Sequence, residues 1–141
     1  MLLAACSTSS SGQVAQTYAV YQFTCCLGSD VQQTWHPGST VQLHWIATLS
    51  GQTTSTKPIP LKLSVQIAGA YSDVATLKQQ GAPARTVVAP AIAIDDRTST
   101  PPVSTIALPA DLPPGLYNLT FKVDFGRGNS MSAASIVQVG P

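Results

Sequence analysis

The residues able to do chemistry are few and far apart. The chain has two histidines, His36 and His44, and upstream of them a vicinal pair, Cys25-Cys26. Thiolates and imidazoles are the ligands of zinc, but no spacing among these four matches a zinc pattern. They read instead as turn or surface histidines beside a cysteine pair, with no metal. Asp95-Asp96 is the one pair of adjacent carboxylates. Successive residues of a strand point to opposite faces, whereas a glycosidase holds two acids ~5–9 Å apart across a cleft. Asp95 and Asp96 therefore read as a solvated loop, or at most a weak Ca²⁺ site. No serine elbow, phosphate-binding loop or dinucleotide fingerprint occurs. The expectation is a non-enzymatic protein with no cofactor.

Cys25 and Cys26 leave three arrangements open. Adjacent Cα atoms stand ~3.8 Å apart in a trans peptide, while ordinary disulfides prefer ~5.5 Å. A bond between neighbours therefore needs a distorted turn, and Gly28 nearby suits one. A vicinal disulfide is preferred here over pairing between chains or two free thiols.

The elements that must position these residues are β-strands. Of 141 residues, 44% are hydrophobic and only 9% are charged, with six Asp and no Glu; an average chain is ~25% charged. Glu, Lys and Arg furnish the surfaces of helices, so their scarcity argues against a helical protein. Eleven prolines and ten glycines punctuate short segments. The net charge is +1 and the seven Lys and Arg are scattered, which removes the electrostatic attraction that nucleic-acid binding requires. No apolar run approaches the ~20 residues of a membrane-spanning helix.

Three stretches alternate with period two, the mark of a half-buried strand. In the first, Val41, Leu43, Trp45 and Ala47 share a face. In the second, Leu61, Leu63, Val65 and Ile67 do. In the third, Tyr117, Leu119, Phe121, Val123 and Phe125 do, followed by a Gly-rich connection at Gly126 to Ser130 and a return strand through Val137 and Val139. Weaker strands are expected at Arg85 to Ile94 and Val103 to Leu108. Cys25 to Asp30 and His36 to Thr40 read as turns, and Ser50 to Pro60 as a mobile loop. Ser72 to Gly81 reads as one short helical segment capped by Ser72. Gln13 to Thr24 reads as a strand with apolar side chains on both sides, Tyr18 and Val20 on one and Tyr21 and Phe23 on the other. Pairing within its own domain is preferred for this strand; the alternative is addition to the open edge of a neighbour's sheet, which covers both sides and, repeated head to tail, builds a filament. Tyr18, Val20, Tyr21 and Phe23 would be the donated residues of such an assembly.

At the start of the chain, Leu3-Ala4-Ala5-Cys6 resembles the bacterial lipobox. That resemblance implies a lipid on Cys6, which becomes the mature N-terminus, and a protein outside the cytoplasm held to the membrane. Ser7 to Gly12 has the composition of a flexible tether. Residues 1–12 are thus signal remnant and tether, and 13–141 a single domain.

Short strands between turns indicate an antiparallel sandwich. "DLPPGLY", Asp111 to Tyr117, resembles the tyrosine corner of immunoglobulin-like sandwiches, in which the phenol bonds backbone upstream. The expected acceptor lies near Ala110 or Asp111, with Gly115 supplying a positive φ. The series "HPGSTVQLHWIA", "PLKLSVQI", "LPADLPPGLYNLTFKVDF" and "SMSAASIVQV" resembles, in order, the immunoglobulin-like domain of Ser/Thr-rich cell-wall anchored proteins, over about Trp35 to Val139. The expected fold is an all-β, immunoglobulin-like antiparallel sandwich with one short helical turn. The expected role is a lipid-anchored surface module that binds or scaffolds. Its partners would be the membrane through Cys6, a second copy, another surface protein, or a glycan stacked on Trp35.

Overall fold

The structure is a computed structural model that describes residues 16–141. Chain order is β1 (Tyr18–Cys25), α1 (Gly28–Gln32), β2 (Thr34–Trp35), β3 (Thr40–Thr53), β4 (Pro60–Tyr71), α2 (Val74–Lys78), β5 (Arg85–Val88), β6 (Ile92–Asp95), β7 (Val103–Ala107), β8 (Gly115–Gly126) and β9 (Asn129–Val139). Two sheets face one another. The first is three-stranded, in the order β1-β3-β7. The second runs β2-β9-β8-β4, and the far side of β4 is shared by β6 at its start and β5 towards its end. The expected all-β sandwich is the architecture. One pairing departs from the antiparallel expectation, because β2 lies parallel to the end of β9.

The period-two stretches build the core. Val41, Leu43 and Trp45 of β3 meet Leu61, Leu63, Val65 and Ile67 of β4 and Tyr117, Leu119, Phe121 and Val123 of β8, all buried. Trp45 sets its ring edge-on to Phe121, centroids 5.5 Å apart, the arrangement that aromatic quadrupoles favour. Phe125 departs from its expected face. It is 42% exposed, because a register shift between Asp124 and Gly126 turns the strand end out of the ladder.

Local chemistry explains where other expectations give way. Cys25 to Asp30 is not a simple turn: its second half enters α1, so the described residues hold two short helices and not one. The Ser50–Pro60 loop is shorter than expected, since β3 continues to Thr53 with Tyr18 as ladder partner. Ladder hydrogen bonds override the weak strand preference of Ser, Gly and Gln. The helix after β4 is capped by Asp73 and not Ser72: the Asp73 carboxylate accepts from Thr76 N–H at 2.7 Å. That bond is the main reason its carboxyl titrates below the ordinary range. Arg85 to Ile94 divides into β5 and β6 on either side of Pro90, which has no N–H to give a ladder. The β8–β9 hairpin turns on Arg127 (φ 56°) and Gly128 (φ 78°), the pair of left-handed residues that a two-residue hairpin turn demands.

β1 pairs with β3 of its own chain over its whole length, from Tyr18↔Thr53 to Cys25↔Trp45. Phe23 is buried in the core, and the Arg97 guanidinium lies 4.2 Å from the centre of the Tyr18 ring. The apolar groups on both sides of this strand thus find cover inside the domain. Donation of Tyr18, Val20, Tyr21 and Phe23 to a neighbour would first have to strip β1 from β3.

Candidate functional site

The chemistry-bearing groups that meet are Asp30 and His44. α1 carries Asp30 to the start of the central part of β3, and the approach is fixed from several directions. Leu27 N–H donates to His44 O at 3.0 Å, and Gly140 N–H donates to Trp35 O at 2.7 Å. The Trp35 indole N–H donates to Asp30 O at 2.9 Å. The Asp30 side chain is 9% exposed, and its Oδ2 accepts His44 N–H at 2.7 Å. The imidazole Nδ1 stands 3.1 Å from Oδ2 and 3.2 Å from Oδ1. A carboxylate only accepts, so the ring proton belongs on Nδ1 and Nε2 is left as the basic nitrogen of the neutral ring.

This pair forms one wall of an open groove of about 410 Å³, shared with Gln33, His36, Thr40 and Gln42. An acid holding a histidine in one tautomer is two-thirds of a nucleophilic triad. The third part is not in place: Ser39 Oγ, on the same groove, donates to His36 O at 2.6 Å. What the groove offers is a set of side-chain amides, hydroxyls and one oriented imidazole, a surface for hydrogen-bonding a polar ligand. Trp35 is 2% exposed beneath it, so its ring is a packed anchor and presents no stacking face for a sugar. Among the described residues no group of three His, Cys, Asp or Glu is placed to hold a metal.

Asp30→Ala should cost about 1–3 kcal/mol, because the His44 N–H is left without an acceptor in a half-buried place. Asp30→Asn, which keeps an acceptor oxygen, should cost less. Denaturant melts of the two variants measure the difference; equal losses would mean the carboxylate does not hold β3.

The other expected site residues are dispersed. Cys25 and Cys26 are joined to one another, Cα–Cα 3.0 Å, at the junction of β1 and α1. Asp95 and Asp96 serve separate turns: Asp95 Oδ1 accepts Arg97 N–H at 2.9 Å, and Asp96 Oδ1 accepts Ile59 N–H at 2.9 Å. The Arg97 guanidinium also donates to Ser55 O, which ties this turn to the segment after β3. Tyr117 is fully buried and its hydroxyl donates to Pro113 O at 2.6 Å. The corner acceptor is therefore Pro113, not Ala110 or Asp111. Asp111 instead points outward and receives Arg85 Nη2 at 3.1 Å, a hydrogen bond that lowers its carboxyl below the usual range. Gly115 has φ +144°, and a Cβ there would stand 2.9 Å from Ala70 Cβ. Cys6 lies outside the described residues.

Sequence reasoning missed Asp30 and Arg97. The one available signal was compositional: in a chain with so few charges, each is costly to leave unpaired. Among the described residues no helix is long and apolar enough to cross a membrane. No protein-family model, no curated protein and no solved structure matches this chain.

Proposed function

We propose that this chain is a binding or scaffolding module without catalytic activity, displayed at the cell surface on a lipid carried by Cys6. One observation supports the non-enzymatic reading. Each of the chain's six Asp side chains already accepts a hydrogen bond from within the fold. Asp30 meets His44, Asp73 caps α2, Asp95 and Asp96 fix turns, Asp111 pairs with Arg85, and Asp124 accepts Gly126 N–H. General acid–base work needs a group within reach of substrate and available to trade its proton; His44 lines the groove, but the groove's Ser39 hydroxyl is committed to His36 O and supplies it no nucleophile. The lipobox-like Leu3-Ala4-Ala5-Cys6 and the Ser/Thr/Gly run after it support the anchor. The polar groove beside His44 is the face that would meet a surface protein or glycan.

The anchor is tested by expressing the gene with its upstream region and measuring intact mass and membrane partition. One acyl chain is a marginal anchor, whereas two or three hold firmly. The expected product begins at Cys6, carries diacylglycerol and fractionates with membranes, and Cys6→Ser abolishes both. An unmodified, uncleaved and soluble product would end the anchor reading.

A further inference from the structure

Beyond that reading, and independent of lipid on Cys6, the second sheet has one unprotected edge. β9 is paired to β8 along its length, but its other side meets β2 only at Gln138 and Val139. Among the described residues, Asn129 to Ser135 therefore present their outward-pointing backbone groups to no partner strand. The first six of these are exposed on both faces, since the smaller sheet does not reach over them. Residue 131, which faces inward beside Val123, is a methionine left 38% exposed.

The other edges are short, charged or proline-flanked, or, at β1, held at one residue by the same chain. Tyr21 N–H on the outer side of β1 donates to Asp96 O at 2.8 Å. β5 and β6 are four residues each, with Arg85 at one end, Asp95 at the other and Pro90 between. β7 is five residues and follows Pro101-Pro102. Short length, charge and proline are the usual means of preventing edge-to-edge association. β9 has none: from Gly128 to Gly140 the chain holds no charged residue and no proline.

We infer that the Asn129–Ser135 edge of β9 is a self-association surface, pairing antiparallel with the same edge of a second copy across a two-fold axis. A second copy fits for three reasons. An uncharged edge meets its own image without repulsion. An axis perpendicular to the sheet keeps like faces together, and centring it on Ser132 pairs Asn129 to Ser135 throughout. That register sets Met131 opposite Ala133 of the second copy, a large side chain against a small one, and Ser130 opposite Ala134. Seven residues make a contact about 24 Å long. A strip of that length and about 10 Å width buries about 500 Å² in total, well under the ~1,200 Å² of a stable complex. The dimer is accordingly a fast-exchanging one, populated at high local concentration.

Two double variants of the full chain test both contact and register. Ser130→Lys with Ala134→Lys places lysines opposite each other in the pair. Ser130→Lys with Ala134→Asp places opposite charges there. Positions 130 and 134 are exposed, and their β8 neighbours are Asp124 and Thr120, so both variants keep the fold. Sedimentation equilibrium up to millimolar protein, with amide NMR shifts, reads the result. Wild type should associate, with shifts concentrated at 129–135. The Lys/Lys variant should bind at least about tenfold more weakly and the Lys/Asp variant more tightly, since directly opposed charges in a ladder act this way. Overturning results are a monomeric wild type, whether its edge amides are protected by other residues of the chain or exposed, or equal association of the two variants.

Discussion

Tyr117→Ala should destabilise the domain by about 3–5 kcal/mol, the range for emptying a buried aromatic site. The ring is wholly buried on the core face of β8, and its surroundings are unable to close over the gap. Gly69 has its Cα so near that a Cβ there would stand 2.8 Å from Tyr117 Cδ2 and 2.7 Å from Leu116 O. The wall of this site is backbone, which relaxes little. Tyr117→Phe isolates the corner itself. It removes the bond to Pro113 O and leaves the ring, so it should cost about 1 kcal/mol. Burial pushes the Tyr117 phenol above its ordinary value of 10.0. The folded state thus holds this proton more tightly than the unfolded state does. Stability should fall as pH rises past the ordinary tyrosine value, and Tyr117→Phe should remove that contribution to the alkaline loss. Denaturant melts at neutral and alkaline pH read both effects. Melts of Tyr117→Phe and Tyr117→Ala that both match wild type would refute the corner.

Trp45→Ala should be comparably severe, about 3–5 kcal/mol. Trp45 is 2% exposed, and its indole N–H donates to Ser104 Oγ at 2.8 Å, joining the centre of β3 to β7. The substitution removes the ring that lies edge-on to Phe121, and it also strands a hydroxyl that is 1% exposed. Ser104→Ala leaves the indole N–H unpaired in the core and should cost about 1–3 kcal/mol, the desolvation penalty of an unsatisfied donor. The double variant should cost less than the sum of the two, because the second change removes a group already without its partner. Additive losses in denaturant melts would mean the bond contributes nothing.

Both predictions rest on positions whose burial is legible in the sequence. Trp45 and Tyr117 fall on the apolar side of period-two runs, and alternation is a local property: a strand with one wet face must place every second side chain inward. The same reasoning located the cores of β3, β4 and β8 and the turn between β8 and β9. It placed a tyrosine corner at Tyr117 but chose the wrong carbonyl. The choice between Pro113 and residues two or three positions upstream depends on how the Pro113-Pro114-Gly115 turn curls against Ala70 and Tyr71, far away in the sequence.

What tertiary structure alone decided is which groups meet. Asp30 and His44 belong to different elements with no shared pattern, and only the seating of α1 against β3 and β9 brings them together. Ser50 to Thr53 look like loop by composition, yet they form strand because β1 offers a ladder. β1 suited its own sheet or a neighbour's, since nothing local announces that Arg97 will cover Tyr18. The free edge of β9 is likewise invisible in "NSMSAAS", whose small polar residues suit a loop, a covered strand or an open one equally well. Side-chain alternation is written residue by residue, but strand order, edge and pairing are settled by competition among all the surfaces a chain must bury, and that competition has no local signature.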